Sequence, residues 1–60
     1  MTYKFEVFKD VKEEFRFRMV APNGQTIATS EGYTQKQSCL DTIDSIKQNA
    51  AYAEIVDVEK

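Results

Sequence analysis

Apolar and polar residues alternate in two places early in the chain. Tyr3, Phe5 and Val7 alternate with Lys4, Glu6 and Phe8, and Phe15, Phe17 and Met19 alternate with Arg16, Arg18 and Val20. A period of two marks a half-buried strand, because successive side chains point to opposite faces. Between the runs, Lys9 to Glu13 (KDVKE) is a polar break interrupted only by Val11. Both runs put their odd-numbered residues on the same face. The two odd sets can share a face only if the connection has an odd length or a bulge. A tight turn around Val11 pairs Val7 with Phe15 and Phe5 with Phe17, and sets Glu6 opposite Arg16 on the other face.

The next break is Ala21-Pro22-Asn23-Gly24-Gln25. Asn-Gly is a strong signal for a two-residue hairpin turn. Pro22 argues against that choice, since it has no amide hydrogen to donate across such a loop. A three-residue loop with Pro22 first, Asn23 next and Gly24 left-handed in a bulge accommodates the proline. It predicts that Ile27 opposes Met19 in the core. A short, weakly apolar third strand follows at about Thr26 to Ser30. Glu31-Gly32-Tyr33 then leads to the helix, with Gly32 read as a backbone turn and Tyr33 as packing on the first helical turn or the sheet edge.

From Thr34 to Asn49 the pattern changes to helical. Cys39, Leu40, Ile43, Ile46 and Ala50 form one stripe of a 3.6-residue repeat. Thr34 with Gln37 has the spacing of a capping box, and Asn49 is a terminator able to adopt the left-handed turn. Asp41, Asp44, Ser45, Lys47 and Gln48 fall mostly outside the stripe and belong to the wet face. After a connector at Ala50 to Ala53, Glu54 to Glu59 reads as a last strand with Val56 and Val58 on one face. The expected architecture is α+β: a two-layer β-β-β-α-β unit, an antiparallel meander with one helix on one face.

Composition sharpens this picture. The chain has 60 residues, which is one domain spanning 1–60. A chain of this size buries only about 60% of the surface its unfolded form exposes, so its stability is expected to be marginal. One cysteine and no histidine exclude an internal disulfide and make a metal clip unfavourable. Association with another copy is the remaining usual remedy. The start, MTYKFEVFKD, carries charges every few residues, so neither a signal peptide nor a membrane span is expected and a cytoplasmic location is the default. A net charge of −2 and a pI of about 4.9 give no global basic field for nucleic acid.

The segments YKFEVFKD, EFRFRM, PNG and EGYTQKQSC, with the short acidic terminal strand, resemble the YegP-like family of small prokaryotic proteins. The resemblance spans essentially the whole chain. Its most specific parts are Arg16-Phe17-Arg18 and Glu31-Gly32-Tyr33-Thr34 followed by Lys36-Gln37. It implies a β3-α-β unit of which two copies form one continuous sheet and exchange their C-terminal strands, here near Glu54 to Val58. For a single-unit chain, that is a homodimer. Relatives tend to carry a glycine in the first turn where this chain has Glu13, which leaves the type of that turn open. The resemblance implies no established activity.

The chemical inventory is sparse. Cys39 has no histidine to act as its base and lies in the apolar helix stripe, where a free cysteine packs as a small hydrophobe. Asp41 and Asp44 share a helical face without a third ligand, which is a solvated face rather than a site. No phosphate loop, metal-ligand cluster or triad can be assembled, so the reading is non-enzymatic, with no cofactor and no metal. The most informative surface is the open sheet face with Lys4, Arg16, Arg18, Phe8 and Val20. The candidate partner-binding residues are Lys4, Arg16, Arg18 and Lys36. Arginines interleaved with an aromatic recur in single-strand nucleic-acid binders, which makes a nucleic-acid accessory role the alternative. The plainer reading pairs Arg16 with Glu6 and uses arginine stems to shield the sheet, and overall acidity favours it. The leading expectation is therefore a homodimeric interaction module acting through its extended sheet surface, with a protein partner or a small acidic ligand.

Overall fold

The computed structural model describes residues 2–59. Three antiparallel strands, β1 (Lys4–Lys9), β2 (Phe15–Val20) and β3 (Thr26–Thr29), form a sheet in the order β1-β2-β3. One helix, α1 (Lys36–Asn49), follows and packs against β2, and it continues into a 3-10 turn at Ala50–Tyr52. The α+β layer architecture is the one that the alternating and helical periods predict.

The register differs from the expected one by a two-residue step. Val7 lies opposite Phe17, Phe5 opposite Met19, Glu6 opposite Arg18 and Phe8 opposite Arg16. The cause is the first turn. The Glu13 amide donates to the Asp10 carbonyl at 3.0 Å and the Asp10 amide to the Glu14 carbonyl at 2.9 Å, with Glu13 left-handed at φ 63°. This is a three-residue loop over Val11, Lys12 and Glu13, closed by a bulge and centred one residue beyond Val11. The Asp10 carboxylate secures it by accepting from the amides of Lys12 and Glu14, each at 2.9 Å. Parity is preserved, so the odd-numbered residues still share a face.

The second turn is the bulged hairpin that Pro22 dictates, with Gly24 at φ 90°. Its consequence for Ile27 is not the expected one. Val20 lies opposite Thr26 but Met19 lies opposite Ala28, so a further bulge makes Ile27 the surplus residue, and it is 54% exposed. The expected Ile27–Met19 core pair is thus absent: Met19 faces Ala28, which is exposed.

Beyond β3 the pairing with β2 changes hands. The Phe17 amide donates to the Ser30 hydroxyl at 3.0 Å, and the Ser30 amide donates to the Phe17 carbonyl at 2.9 Å. Three residues later the chain returns to β2, where Phe15 and Tyr33 exchange both backbone hydrogen bonds, at 2.7 and 2.8 Å. Gly32 serves this return by close approach: a Cβ there would collide with the Glu14 side chain.

The Tyr33 bridge also explains why α1 begins late. It holds the chain extended through residue 33, and Gln35, with φ −121° and ψ 136°, is the N-cap residue. The capping box expected of Thr34 is therefore absent, with no side chain bonded at the cap. Gln37 donates instead to Asp41 at 2.8 Å. At the other end Asn49 is not left-handed (φ −119°, ψ −17°), and its amide group donates back to the Ser45 carbonyl.

The core is small. Phe17 and Cys39 are buried, and Phe5 meets Phe17 edge to face with centroids 5.7 Å apart. Burying a phenylalanine of this kind contributes roughly 1.5–3 kcal/mol. Ile43 and Ile46 are half-buried, whereas Leu40 and Ala50, expected in the same stripe, are exposed.

Residues 53–59 form no strand within the chain, in contrast to the expected β-strand at Glu54 to Glu59. Tyr52, Ile55, Val56 and Val58 are 86%, 99%, 67% and 81% exposed. A strand needs a neighbour to take its amides and carbonyls, and among the described residues neither edge of the sheet receives this segment.

Candidate functional site

Even-numbered residues of β1 and β2 build a ladder of charges on the sheet face opposite the Phe5–Phe17 pair. At its centre the Glu6 carboxylate accepts from Arg18 Nε at 2.7 Å and pairs with Lys4 Nζ at 3.1 Å. The Arg18 guanidinium lies over the Phe8 ring at 4.9 Å from its centroid, a diagonal cross-strand cation–π contact. At the turn end, Arg16 Nε donates to Asp10 Oδ2 at 2.6 Å and Arg16 Nη1 to the Ser30 carbonyl at 2.9 Å.

Glu6 therefore pairs with Arg18 and not, as expected, with Arg16. The two-residue step in register moved every cross-strand partner along, and Arg16 found the carboxylate of the turn. The electrostatics follow from these contacts. Arg18 and then Lys4 hold the Glu6 carboxyl below its ordinary value. Arg16 and the Glu14 amide do the same for Asp10, and Asp10 in turn raises the Arg16 pKa.

Of the four candidate residues, three share this face: Lys4, Arg16 and Arg18. Lys36 stands apart, exposed at the first residue of α1. Arg16 is committed to holding the first turn against the chain after β3. Arg18 and Lys4 line a shallow depression of about 390 Å³ with Glu6, Val20, Pro22 and Thr26. Val20 is also in its lining, only 6% exposed although it lies on the open face. Residue types could not reveal the depression, because the hairpin at Pro22 to Gly24 raises one of its walls.

A second feature is the pair formed by the C-terminal segment and the outer edge of β1. The segment AEIVDVE presents three exposed β-branched residues among Glu54, Asp57 and Glu59. The outer edge of β1 pairs with no strand among the described residues, and β1 carries Lys4 and Lys9 at its ends.

The remaining candidates are chemically quiet. Cys39 is fully buried, as the helix stripe predicts, and burial raises its thiol pKa. Among the described residues no group of three histidine, cysteine, aspartate or glutamate side chains could hold a metal ion, and no helix is long and apolar enough to cross a membrane. Asp41 and Asp44 accept from Gln37 and Gln48 along the helix surface.

Known proteins match this arrangement along its length. Residues 10–57 match the family described as Domain of unknown function (DUF1508). A UPF0339 protein of Agrobacterium fabrum is 58% identical over 55 residues, covering 92% of this chain and 89% of the relative. The solution NMR structure of a Haloferax volcanii protein is similar with a TM-score of 0.86 at 38% identity, covering 95% of this chain and 97% of that one. A solution structure from Agrobacterium tumefaciens gives 0.83 at 49% identity, covering 95% and 92%. The chain therefore belongs to the DUF1508 family of small prokaryotic proteins of unknown function, in agreement with the resemblance carried by its strand and cap motifs.

Proposed function

We propose that this protein is a homodimeric, non-enzymatic interaction module in which the C-terminal segment of each copy adds a strand to the β1 edge of the other. The observation that carries this reading is the exposure of Ile55, Val56 and Val58 in a segment that pairs with no strand among the described residues. β-Branched residues have little reason to lie in water, and an unpaired strand edge is a template for another strand. Charge favours β1 as the acceptor. Lys4 and Lys9 flank its edge, whereas β3 (TIAT) has no charge to attract Glu54, Asp57 and Glu59. Exchange between identical copies is closed and symmetric, and it adds apolar burial that a 60-residue chain lacks. The doubled sheet offers a broad face to a protein partner.

Light scattering on the full chain and on a truncation ending at Ala53 tests this. The expected result is a dimer for the full chain and a monomer or an unfolded chain for the truncation. The melting temperature of the full chain should also rise with protein concentration, as mass action requires for a dimer. A full chain that stays monomeric at high concentration would end the proposal.

A further inference from the structure

We propose that the depression bounded by Lys4, Arg18 and Thr26 binds a small oxyanion. Two cations and one carboxylate meet there, Lys4 and Arg18 around Glu6, giving a local charge of +1 in a chain whose net charge is −2. Glu6 does not exhaust the donors around it. It takes one bond from Arg18 Nε, and among the described residues the two η nitrogens of Arg18 donate to no protein acceptor. Lys4 Nζ likewise has donors left after its contact with Glu6, and Thr26 belongs to the same lining. The guanidinium is already immobilised, held by Glu6 at Nε and by the Phe8 ring at 4.9 Å. A fork fixed in this way loses little further freedom on binding, and its planar donors match two oxygens of a phosphoryl or carboxylate group. The volume of about 390 Å³ admits a small charged molecule, and Val20 and Pro22 add apolar residues to its lining beside the charges.

All of these residues belong to one chain, and shifts at Arg18, Val20 and Thr26 read the site apart from Lys4, the residue it shares with the proposed dimer edge, so failure of one reading is distinguishable from failure of the other. The test is a titration of the isotope-labelled full chain with inorganic phosphate, followed by amide NMR shifts, against sodium chloride at matched ionic strength. The expected result is saturable shifts confined to Lys4, Glu6, Arg18, Val20, Gly24 and Thr26, with a dissociation constant on the order of 1 mM. Arg18→Gln should weaken the response about tenfold, as loss of a charge-assisted bidentate contact does. Lys4→Gln, at a side chain 63% exposed and therefore safe for folding, should weaken it severalfold. A parallel titration with acetate separates the two sources: a stronger response to acetate makes the natural ligand a carboxylate, and a stronger response to phosphate makes it a phosphoryl compound. Equal shifts with chloride, shifts scattered over the surface, or an undiminished response in both variants would overturn the assignment.

Discussion

Glu13 and Gly24 occupy the same position in two turns of one design. In each, the residue closes a three-residue loop, donates its amide to the carbonyl three residues back, and takes a positive φ, 63° for Glu13 and 90° for Gly24. The glycine suits this conformation, and the glutamate is strained in it. An L-residue in the left-handed region costs roughly 1–2 kcal/mol.

Glu13→Gly should therefore stabilise the protein. Relief of strain outweighs the additional chain entropy of glycine, about 0.5–1 kcal/mol, leaving a net gain of about 0.5–1 kcal/mol. In thermal melts at fixed protein concentration this is an increase of roughly 3–6 °C. Gly24→Ala should lose about 1 kcal/mol through backbone strain alone, since a Cβ there meets nothing within 4 Å. An unchanged or lowered melting point in Glu13→Gly would refute the assignment of strain.

Acid should weaken the charge ladder before it weakens the core. Glu6 and Asp10 titrate below their ordinary values of 4.5 and 3.8 because of Arg18, Lys4 and Arg16. A carboxylate with a lowered folded pKa adds stability above its unfolded value, and that stability is lost as pH falls through the folded value. Urea midpoints should be flat near neutrality and fall from about pH 5 downward. The double variant Glu6→Gln with Asp10→Asn should show a shallower decline. Parallel curves for the two proteins would count against the ladder as the source.

Ser30→Ala removes the acceptor for the Phe17 amide at the place where β3 leaves the ladder. Phe17 is only 6% exposed, so water cannot readily replace the hydroxyl. The expected loss is about 1–3 kcal/mol, measured by chemical unfolding, together with faster hydrogen exchange at Phe17. Exchange at Phe17 that is no faster than in the parent would contradict this role.

Cys39 should behave as packing. In the native protein its thiol should react with a disulfide reagent only as fast as the structure opens, and rapidly in denaturant. Cys39→Ser should destabilise by about 1–3 kcal/mol by burying a hydroxyl among apolar neighbours. Rapid native labelling would show that the helix stripe is not the core.

The periodicities made much of this fold legible. Parity at Phe5, Val7, Phe15, Phe17 and Met19 assigned the faces, and it survived the two-residue error in register because it is insensitive to even steps. Pro22 without an amide hydrogen was enough to specify the bulged hairpin. The charged face was legible as a set of residues but not as a set of pairs. Which arginine meets Glu6 depends on the length of a turn, and that turn contains a glutamate where turn rules look for glycine. The Thr34 cap failed for a related reason. Two backbone bonds between Phe15 and Tyr33 outweigh one local cap, and their partner lies 18 residues away in sequence.

What the sequence determined by itself is therefore local and periodic: three strands, one helix, the buried place of Cys39 and the faces on which charges lie. These follow from side-chain spacing within a few residues, where backbone geometry leaves little choice. The tertiary structure decided the register, the second bulge that expels Ile27, the partners of Arg16 and Arg18, and the lack of a strand partner for residues 53–59 among the described residues. Each of these depends on which distant backbone groups satisfy one another, and a hydrogen-bond partner far along the chain leaves no local mark on the residues that find it.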